Sequence, residues 1–116
     1  MKRARLVLLV FALIVLFISC SGSGDNVSVM YRDTPVNIGT SDFEYLNTDK
    51  SSWIRGAWYD SSNRYMVINL EGTYYHYCGV TELVWNNFKR SESFGRYYNQ
   101  YIKGQFDCRT VHVPDY

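Results

Sequence analysis

Cys78 and Cys108 are the residues of this chain whose types and spacing suggest covalent chemistry. In an exported protein an even pair of cysteines is a candidate disulfide, and closing a loop of about 30 residues would stabilise the fold by roughly 3.5 kcal/mol in the chain-entropy model. The alternative is two buried thiols that pack as small hydrophobic residues. His76 and His112 do not lie at metal-ligand spacing from either cysteine, so we expect no bound metal.

A second set of residues has the types needed for a binding surface. Exposed aromatic rings on a sheet, beside basic side chains, hold the bases of single-stranded nucleic acids. The alternative is that a small domain uses its tyrosines to close the core, with the hydroxyl groups reaching the rim. The candidate residues are Tyr75, Tyr77, Arg96, Tyr97, Tyr98, Tyr101 and Lys103.

Catalytic groups are not evident in the sequence. His76 stands between two tyrosines, where we expect an outward-facing strand residue rather than a catalyst. No serine, cysteine or carboxylate has an acid or base partner at a spacing typical of catalysis. We therefore expect a protein that is not an enzyme and that uses no cofactor.

The N-terminus has the layout of an export signal. Three positive charges within residues 1–5 precede an uninterrupted apolar run, Leu6 to Ile18. This run is shorter than the roughly 20 apolar residues of a transmembrane helix. We therefore expect removal of the leader, residues 1–19. The sequence Leu16-Phe17-Ile18-Ser19-Cys20 resembles the lipobox of bacterial lipoproteins, in which the cysteine is acylated.

This resemblance implies lipidation of Cys20 and a place in the cell envelope, outside the cytoplasm, with the membrane as a partner through the lipid. An ordinary secretory signal or an uncleaved anchor are the alternatives. Ser21, rather than aspartate, follows the cysteine and favours the outer membrane where the host has one. We interpret residues 20–50, rich in Ser, Gly, Asn and Asp, as a flexible stalk that begins with Ser21-Gly22-Ser23-Gly24.

Charge weighs against a dedicated nucleic-acid binder. Without the leader, nine Lys and Arg stand against eleven Asp and Glu, which is a net charge of −2. Residues 51–113 alone carry a net charge of +2. Both net charges are much less positive than that of a dedicated nucleic-acid binder, whose strongly cationic surface neutralises phosphates.

Residues 51–116 have the pattern of one small α+β domain. Aromatic and β-branched runs with turn signals predict strands over Trp53–Tyr59, Arg64–Leu70 and Thr73–Cys78, with Glu71-Gly72 as a tight turn. Apolar residues at helical spacing then predict two short helices, capped by Thr81 and Ser93 and ending near Arg90 and Gly104. We therefore predict a three-stranded antiparallel meander packed by two short C-terminal helices.

The same region resembles the KTSC domain, a module named after the C-terminal extension of some lysyl-tRNA synthetases and also found alone in bacterial and phage proteins. The resemblance rests on Ser52 with Ile54 and Tyr59-Asp60, on Tyr75-His76-Tyr77 with Gly79-Val80, and on the run from Ser93 to Lys103. Thr81 departs from the proline common at this helix start, and Cys78 and Cys108 are not typical of the family.

The resemblance implies no established activity, only a suspected affinity for nucleic acid. Together with the leader it predicts a lipid-anchored, extracytoplasmic binding or interaction module for a protein or envelope component. One alternative is a nucleic-acid-binding module. Another is a phage or prophage lipoprotein that modifies the host envelope. The sequence does not indicate the oligomeric state.

Overall fold

The computed structural model describes residues 25–116, in which a mixed sheet separates two layers. Five strands hydrogen-bond in the order β2-β7-β6-β5-β4, and β1 pairs with β3 in a separate two-stranded ribbon. The strands are β1 Asn26–Val27, β2 Val29–Met30, β3 Val36–Asn37, β4 Glu44–Leu46, β5 Ile54–Asp60, β6 Tyr65–Leu70 and β7 Thr73–Cys78. The helices are α1 Glu82–Arg90 and α2 Phe94–Tyr97, and α2 continues as a π-helical turn, Tyr98–Ile102.

The predicted meander forms the centre of this sheet. β5, β6 and β7 pair antiparallel, and Asn69 Oδ1 accepts a 2.7 Å hydrogen bond from the amide of Gly72 in the β6–β7 turn. Glu71 and Gly72 both have positive φ, which matches the twist of a two-residue hairpin. The α+β class is therefore confirmed, and so are both helices.

A simple three-stranded meander is wrong, because the segment before it adds a strand at each edge. β4 pairs antiparallel with β5, and β2 pairs parallel with β7. These strands have only two or three residues, too few for an alternating pattern to stand out in the sequence.

The flexible stalk is wrong for residues 25–50, and residues 20–24 lie outside the described residues. Val29, Val36, Ile38 and Phe43 form a buried cluster with Tyr65 and Val67 on the face of the sheet opposite the helices. Because both faces are covered, β6 is buried on both sides.

The helix-side core holds the larger aromatic residues. Trp85 and Phe88 of α1 pack with Phe94 and Tyr98 against the sheet, and the rings of Tyr59 and Trp85 stack with centroids 5.0 Å apart. This packing fixes α1 and α2 on one face of the sheet, with the N-terminal segment on the other.

Candidate functional site

The two helix caps determine which side chains of α1 and α2 reach solvent. Thr81 Oγ1 accepts a hydrogen bond from the amide of Val84, and Ser93 Oγ accepts one from the amide of Arg96, so both predicted caps are confirmed. With the apolar stripes buried, Leu83, Arg96 and Tyr101 remain exposed.

Tyr97 and Tyr101 form the centre of the exposed helical face. Their ring centroids lie 4.8 Å apart, one helical turn from each other. The hydroxyl of Tyr97 donates to the carbonyl of Val84, which joins α2 to α1, and burial raises the pKa of this hydroxyl. We name the solvent-accessible residues of the helical layer, Leu83, Arg96, Tyr97, Tyr101 and Lys103, the aromatic surface.

Two of the predicted surface tyrosines are not on the surface. Tyr77 and Tyr98 are buried in the helix-side core, where their hydroxyl groups lie 2.7 Å apart. Burial is the main reason that the pKa of each is raised. Tyr77 and Tyr98 therefore do not belong to the binding surface predicted from the sequence. Their rings close the core, as the alternative interpretation expects.

Tyr75 lies apart from the remaining members, in a groove beside the disulfide. The groove has a volume of about 540 Å³ and lies beside β7. Tyr31 and Tyr75 line it together with residues of the segment after the π-helical turn, among them Phe106, Cys108 and Arg109. Arg109 forms a 2.8 Å ion pair with Asp107 at this exposed rim.

Cys78 and Cys108 form a disulfide in the structure. Their Cα atoms lie 4.9 Å apart, and the bridge joins β7 to the C-terminal segment. The amide of Cys78 also donates a 3.2 Å hydrogen bond to the carbonyl of Phe106. The sequence is compatible with two buried thiols or with a disulfide, and the structure contains the disulfide.

His76 lies next to the disulfide and is half-buried rather than outward-facing. Its Nδ1 lies 2.9 Å from the hydroxyl of Tyr65 across the β6–β7 pair. Burial lowers the pKa of His76, and the guanidinium of Arg32 adds to this effect. Burial also raises the pKa of Tyr65 to about 12. The pair is therefore neutral at physiological pH.

Sequence reasoning missed the residues around Tyr65, on the face of the sheet opposite the helices. The guanidinium of Arg32 lies 5.6 Å from the ring centroid of Tyr65 and 5.7 Å from that of Tyr116. No local motif connects three residues so far apart in sequence, and only the sheet brings them together. The helical spacing of Leu83, Val84, Trp85 and Phe88 predicts one packing face on α1, and this is wrong for Leu83, which is exposed while Trp85 and Phe88 are buried.

A shallow polar hollow lies between β4 and α1, and one of its carboxylates, Glu44, is paired with Lys89. Lys89 donates a 2.7 Å hydrogen bond to Glu44, and this bond is the main reason that the pKa of Glu44 is lowered. Asp42 and Glu82 line the same hollow of about 360 Å³. Nothing in this arrangement pairs a nucleophile with a base.

The lipidation candidate Cys20 lies outside the described residues. Within residues 25–116, no helix has both the length and the apolar character needed to span a bilayer.

Comparisons with known proteins give one family. Residues 50–106 match the model of the KTSC domain. The crystal structure of a KTSC domain protein from Yersinia pestis is 40% identical, with the alignment covering 49% of this chain and 82% of that chain, at a TM-score of 0.48. A comparison with curated proteins finds no match.

Proposed function

Given that this chain belongs to the KTSC domain family through residues 50–106, we propose that it is a lipid-anchored, extracytoplasmic binding module. The aromatic surface is the proposed contact site, and a protein of the cell envelope is the proposed partner. The lipid on Cys20 holds the module at the membrane.

The observation that carries this proposal is the exposure of large apolar side chains on the helical face. Leu83 is 67% exposed and Tyr101 is 54% exposed, although both could be polar without loss of core packing. Aromatic residues and arginine are enriched where proteins contact one another. Arg96 and Lys103 flank the two tyrosines in sequence, are exposed, and would supply the polar rim.

A protein partner fits this surface better than a nucleic acid does. A sheet that stacks bases needs exposed rings on one face, whereas Tyr65 and Tyr77 are buried under the two layers. The exposed basic residues of the aromatic surface are only Arg96 and Lys103. Two cations neutralise few phosphates, and phosphate neutralisation supplies most of the affinity for nucleic acid.

The first described residues and the aromatic surface lie on opposite sides of the sheet. Val27 and Val29 pack in the layer that faces away from the helices. Five residue steps separate Cys20 from Asp25 and span at most about 18 Å. We therefore expect the domain to stay close to the bilayer, with the aromatic surface turned away from it and open to a partner.

Lipidation is tested by labelled palmitate incorporation. Wild type should take up the label and fractionate with membranes, whereas Cys20→Ser should do neither. Labelling of Cys20→Ser at the wild-type level would contradict the proposed anchor.

The contact site is tested by crosslinking in envelope fractions, followed by affinity purification. Tyr101→Ala should remove a specific partner. Tyr45→Ala is a matched control, because Tyr45 is also 54% exposed but lies on β4, where its ring packs on Trp58. Equal recovery with both variants would contradict the proposed surface. Salt-sensitive retention of single-stranded nucleic acid that is lost in Tyr101→Ala would favour the alternative.

A further inference from the structure

Three side chains with soft or borderline donor atoms meet at the edge of the groove. The donor atoms of His76, Cys78 and Cys108 all lie within 4.8 Å of one another. The sequence spacing does not reveal this cluster, because Cys108 reaches it only through the fold. Two thiolates and an imidazole are ligands that Zn²⁺ prefers.

The imidazole of His76 already has one ring nitrogen held by a hydrogen bond. Its Nδ1 is held by the hydroxyl of Tyr65 at 2.9 Å, which leaves Nε2 as the ring nitrogen for another partner. A histidine that binds a metal almost always has its other ring nitrogen held by a hydrogen bond, which fixes the tautomer and the ring plane. Tyr65 is fully buried, so this support is rigid.

We propose that reduction of the Cys78–Cys108 disulfide converts this cluster into a Zn²⁺ site with one histidine and two cysteine ligands. Cys78 is buried in β7, whereas Cys108 is half-buried and lines the groove of about 540 Å³. The fourth ligand position would therefore open toward the groove, where water or a small ligand completes the tetrahedron. Three protein ligands with an open fourth position are typical of reactive zinc sites.

The chemistry of the conversion balances with a dithiol as the reductant. The dithiol supplies two electrons and two protons, the S–S bond of Cys78 and Cys108 breaks, and the dithiol leaves as its own disulfide. Each cysteine then loses its proton as its sulfur binds Zn²⁺, so the two thiolates cancel the charge of the ion.

The required movement is small. Tetrahedral zinc with Zn–S bonds of about 2.3 Å places two sulfurs about 3.8 Å apart, so the sulfurs must separate beyond a disulfide bond. Cys108 lies outside the helices and strands, so its movement would not break a helix or a sheet ladder. The disulfide and the metal are mutually exclusive, and the redox state selects between them. This inference does not depend on the proposed lipid anchor or on the aromatic surface.

The experiment uses the full chain in a non-ionic detergent, reduced with a water-soluble phosphine that becomes the phosphine oxide. Co²⁺ is the spectroscopic probe, because its thiolate charge-transfer and visible bands report four-coordinate binding. We expect one Co²⁺ per chain with a tetrahedral spectrum, displaced by Zn²⁺. The oxidised chain should give no such spectrum. Absence of these bands from the reduced chain would overturn the proposal.

The variants separate a ligand role from a structural one. Tyr65→Phe should weaken Co²⁺ binding by about tenfold, the cost of losing an outer-shell partner, and His76→Ala should weaken it further. His112→Ala is the control, because His112 is exposed and outside the cluster, and it should bind as wild type does. Wild-type affinity in His76→Ala would overturn the proposal.

Alkylation provides a readout that does not require the variants to fold. In the reduced wild-type chain Zn²⁺ should slow the alkylation of Cys108, measured by mass spectrometry of the peptides. A rate that does not change with Zn²⁺ would overturn the proposal.

Discussion

The hydroxyl of Tyr116 donates a 2.7 Å hydrogen bond to Oδ2 of Asp60 and thereby joins the C-terminal segment to the end of β5. Asn63 donates a second hydrogen bond, of 2.8 Å, to the same oxygen, and the amide of Ser62 donates to Oδ1. Burial of Asp60 raises its pKa, but these hydrogen bonds outweigh burial and leave the pKa below its usual range. The carboxylate is therefore charged and hydrogen-bonded in the folded state.

Tyr116→Phe should reduce stability at neutral pH by about 1.5–3 kcal/mol, the contribution of a hydrogen bond to a charged group. Because the pKa of Asp60 is lowered by folding, its stabilisation is present above its unfolded pKa and is lost as pH falls through the folded pKa. Urea unfolding between neutral and acidic pH should therefore show a smaller acid-side loss in Tyr116→Phe than in wild type.

Tyr31→Phe is the control for that measurement, since Tyr31 is 86% exposed. It should reproduce the wild-type stability curve over the same pH range. Parallel curves for wild type and Tyr116→Phe, with the same acid-side slope, would contradict the conclusion that this hydrogen bond lowers the pKa of Asp60.

The disulfide should contribute a large share of the stability of this small domain. A bridge that spans 30 residues stabilises the fold by roughly 3.5 kcal/mol in the chain-entropy model. Cys108→Ser should lower the free energy of unfolding by about 2–4 kcal/mol in denaturant titrations. Reductant should lower that of wild type by a similar amount and leave Cys108→Ser unchanged. If reductant also lowered the free energy of unfolding of Cys108→Ser, its effect on wild type would not be due to this disulfide alone.

A buried threonine before the matched KTSC range completes the hydrogen bonding of β5. The hydroxyl of Thr48 donates to the carbonyl of Ile54 at 2.6 Å and accepts from the amide of Gly56 at 2.7 Å. The β5–β6 register shifts between Ile54 and Ala57, and Gly56 has φ +118° there. β4 ends at Leu46, opposite Ala57, so it does not pair with Ile54 and Gly56. The hydroxyl of Thr48 forms hydrogen bonds with these two backbone groups instead.

Thr48→Val should cost about 1–3 kcal/mol for each polar group left unsatisfied, because the valine keeps the shape and removes the hydroxyl. Thr48→Ser retains the hydroxyl and is the matched control, with a smaller expected loss. The measurement is the free energy of unfolding in urea. Equal stability of wild type and Thr48→Val would contradict this role.

The sequence predicts the centre of the fold well and its margins poorly. β6 and β7 are rich in aromatic and β-branched residues and flank a Glu71-Gly72 turn, and Thr81 is a cap recognisable from its residue type and position, so these elements follow from local rules. β2 and Phe43 obey no such rule, since their burial depends on the far face of a sheet that forms later in the chain. A composition rich in Ser, Asn and Asp therefore suggested a stalk where the structure has a packed layer.

The candidate site, like the fold, is predictable from the sequence only in part. Residue types indicated which tyrosines to consider, and the structure separates exposed Tyr101 from buried Tyr77 and Tyr98 because the core requires large rings. The cluster of His76 with the two cysteines is a tertiary contact that no spacing encodes. Periodicity can place a side chain on a face of its element, but it does not indicate what covers that face.

Close packing of α2 against Trp53, the residue before β5, gives the last prediction. Gly95 lies in α2, and a Cβ atom added there would stand 2.7 Å from Nε1 of Trp53. Trp53 packs edge-on against Tyr98 with ring centroids 5.6 Å apart, so its indole cannot move without disturbing the helix-side core. Gly95→Ala should therefore destabilise the fold by about 1–3 kcal/mol, the cost of overpacking, despite the higher helix propensity of alanine.

Gln100→Ala is the matched control for Gly95→Ala, because Gln100 is exposed on the turn that follows α2. It should change the free energy of unfolding by less than about 0.5 kcal/mol, as surface substitutions do. Tryptophan fluorescence gives a second readout, since displacement of the Trp53 indole should shift the emission of folded Gly95→Ala and not that of Gln100→Ala. A Gly95→Ala chain more stable than wild type would mean that helix propensity outweighs this contact.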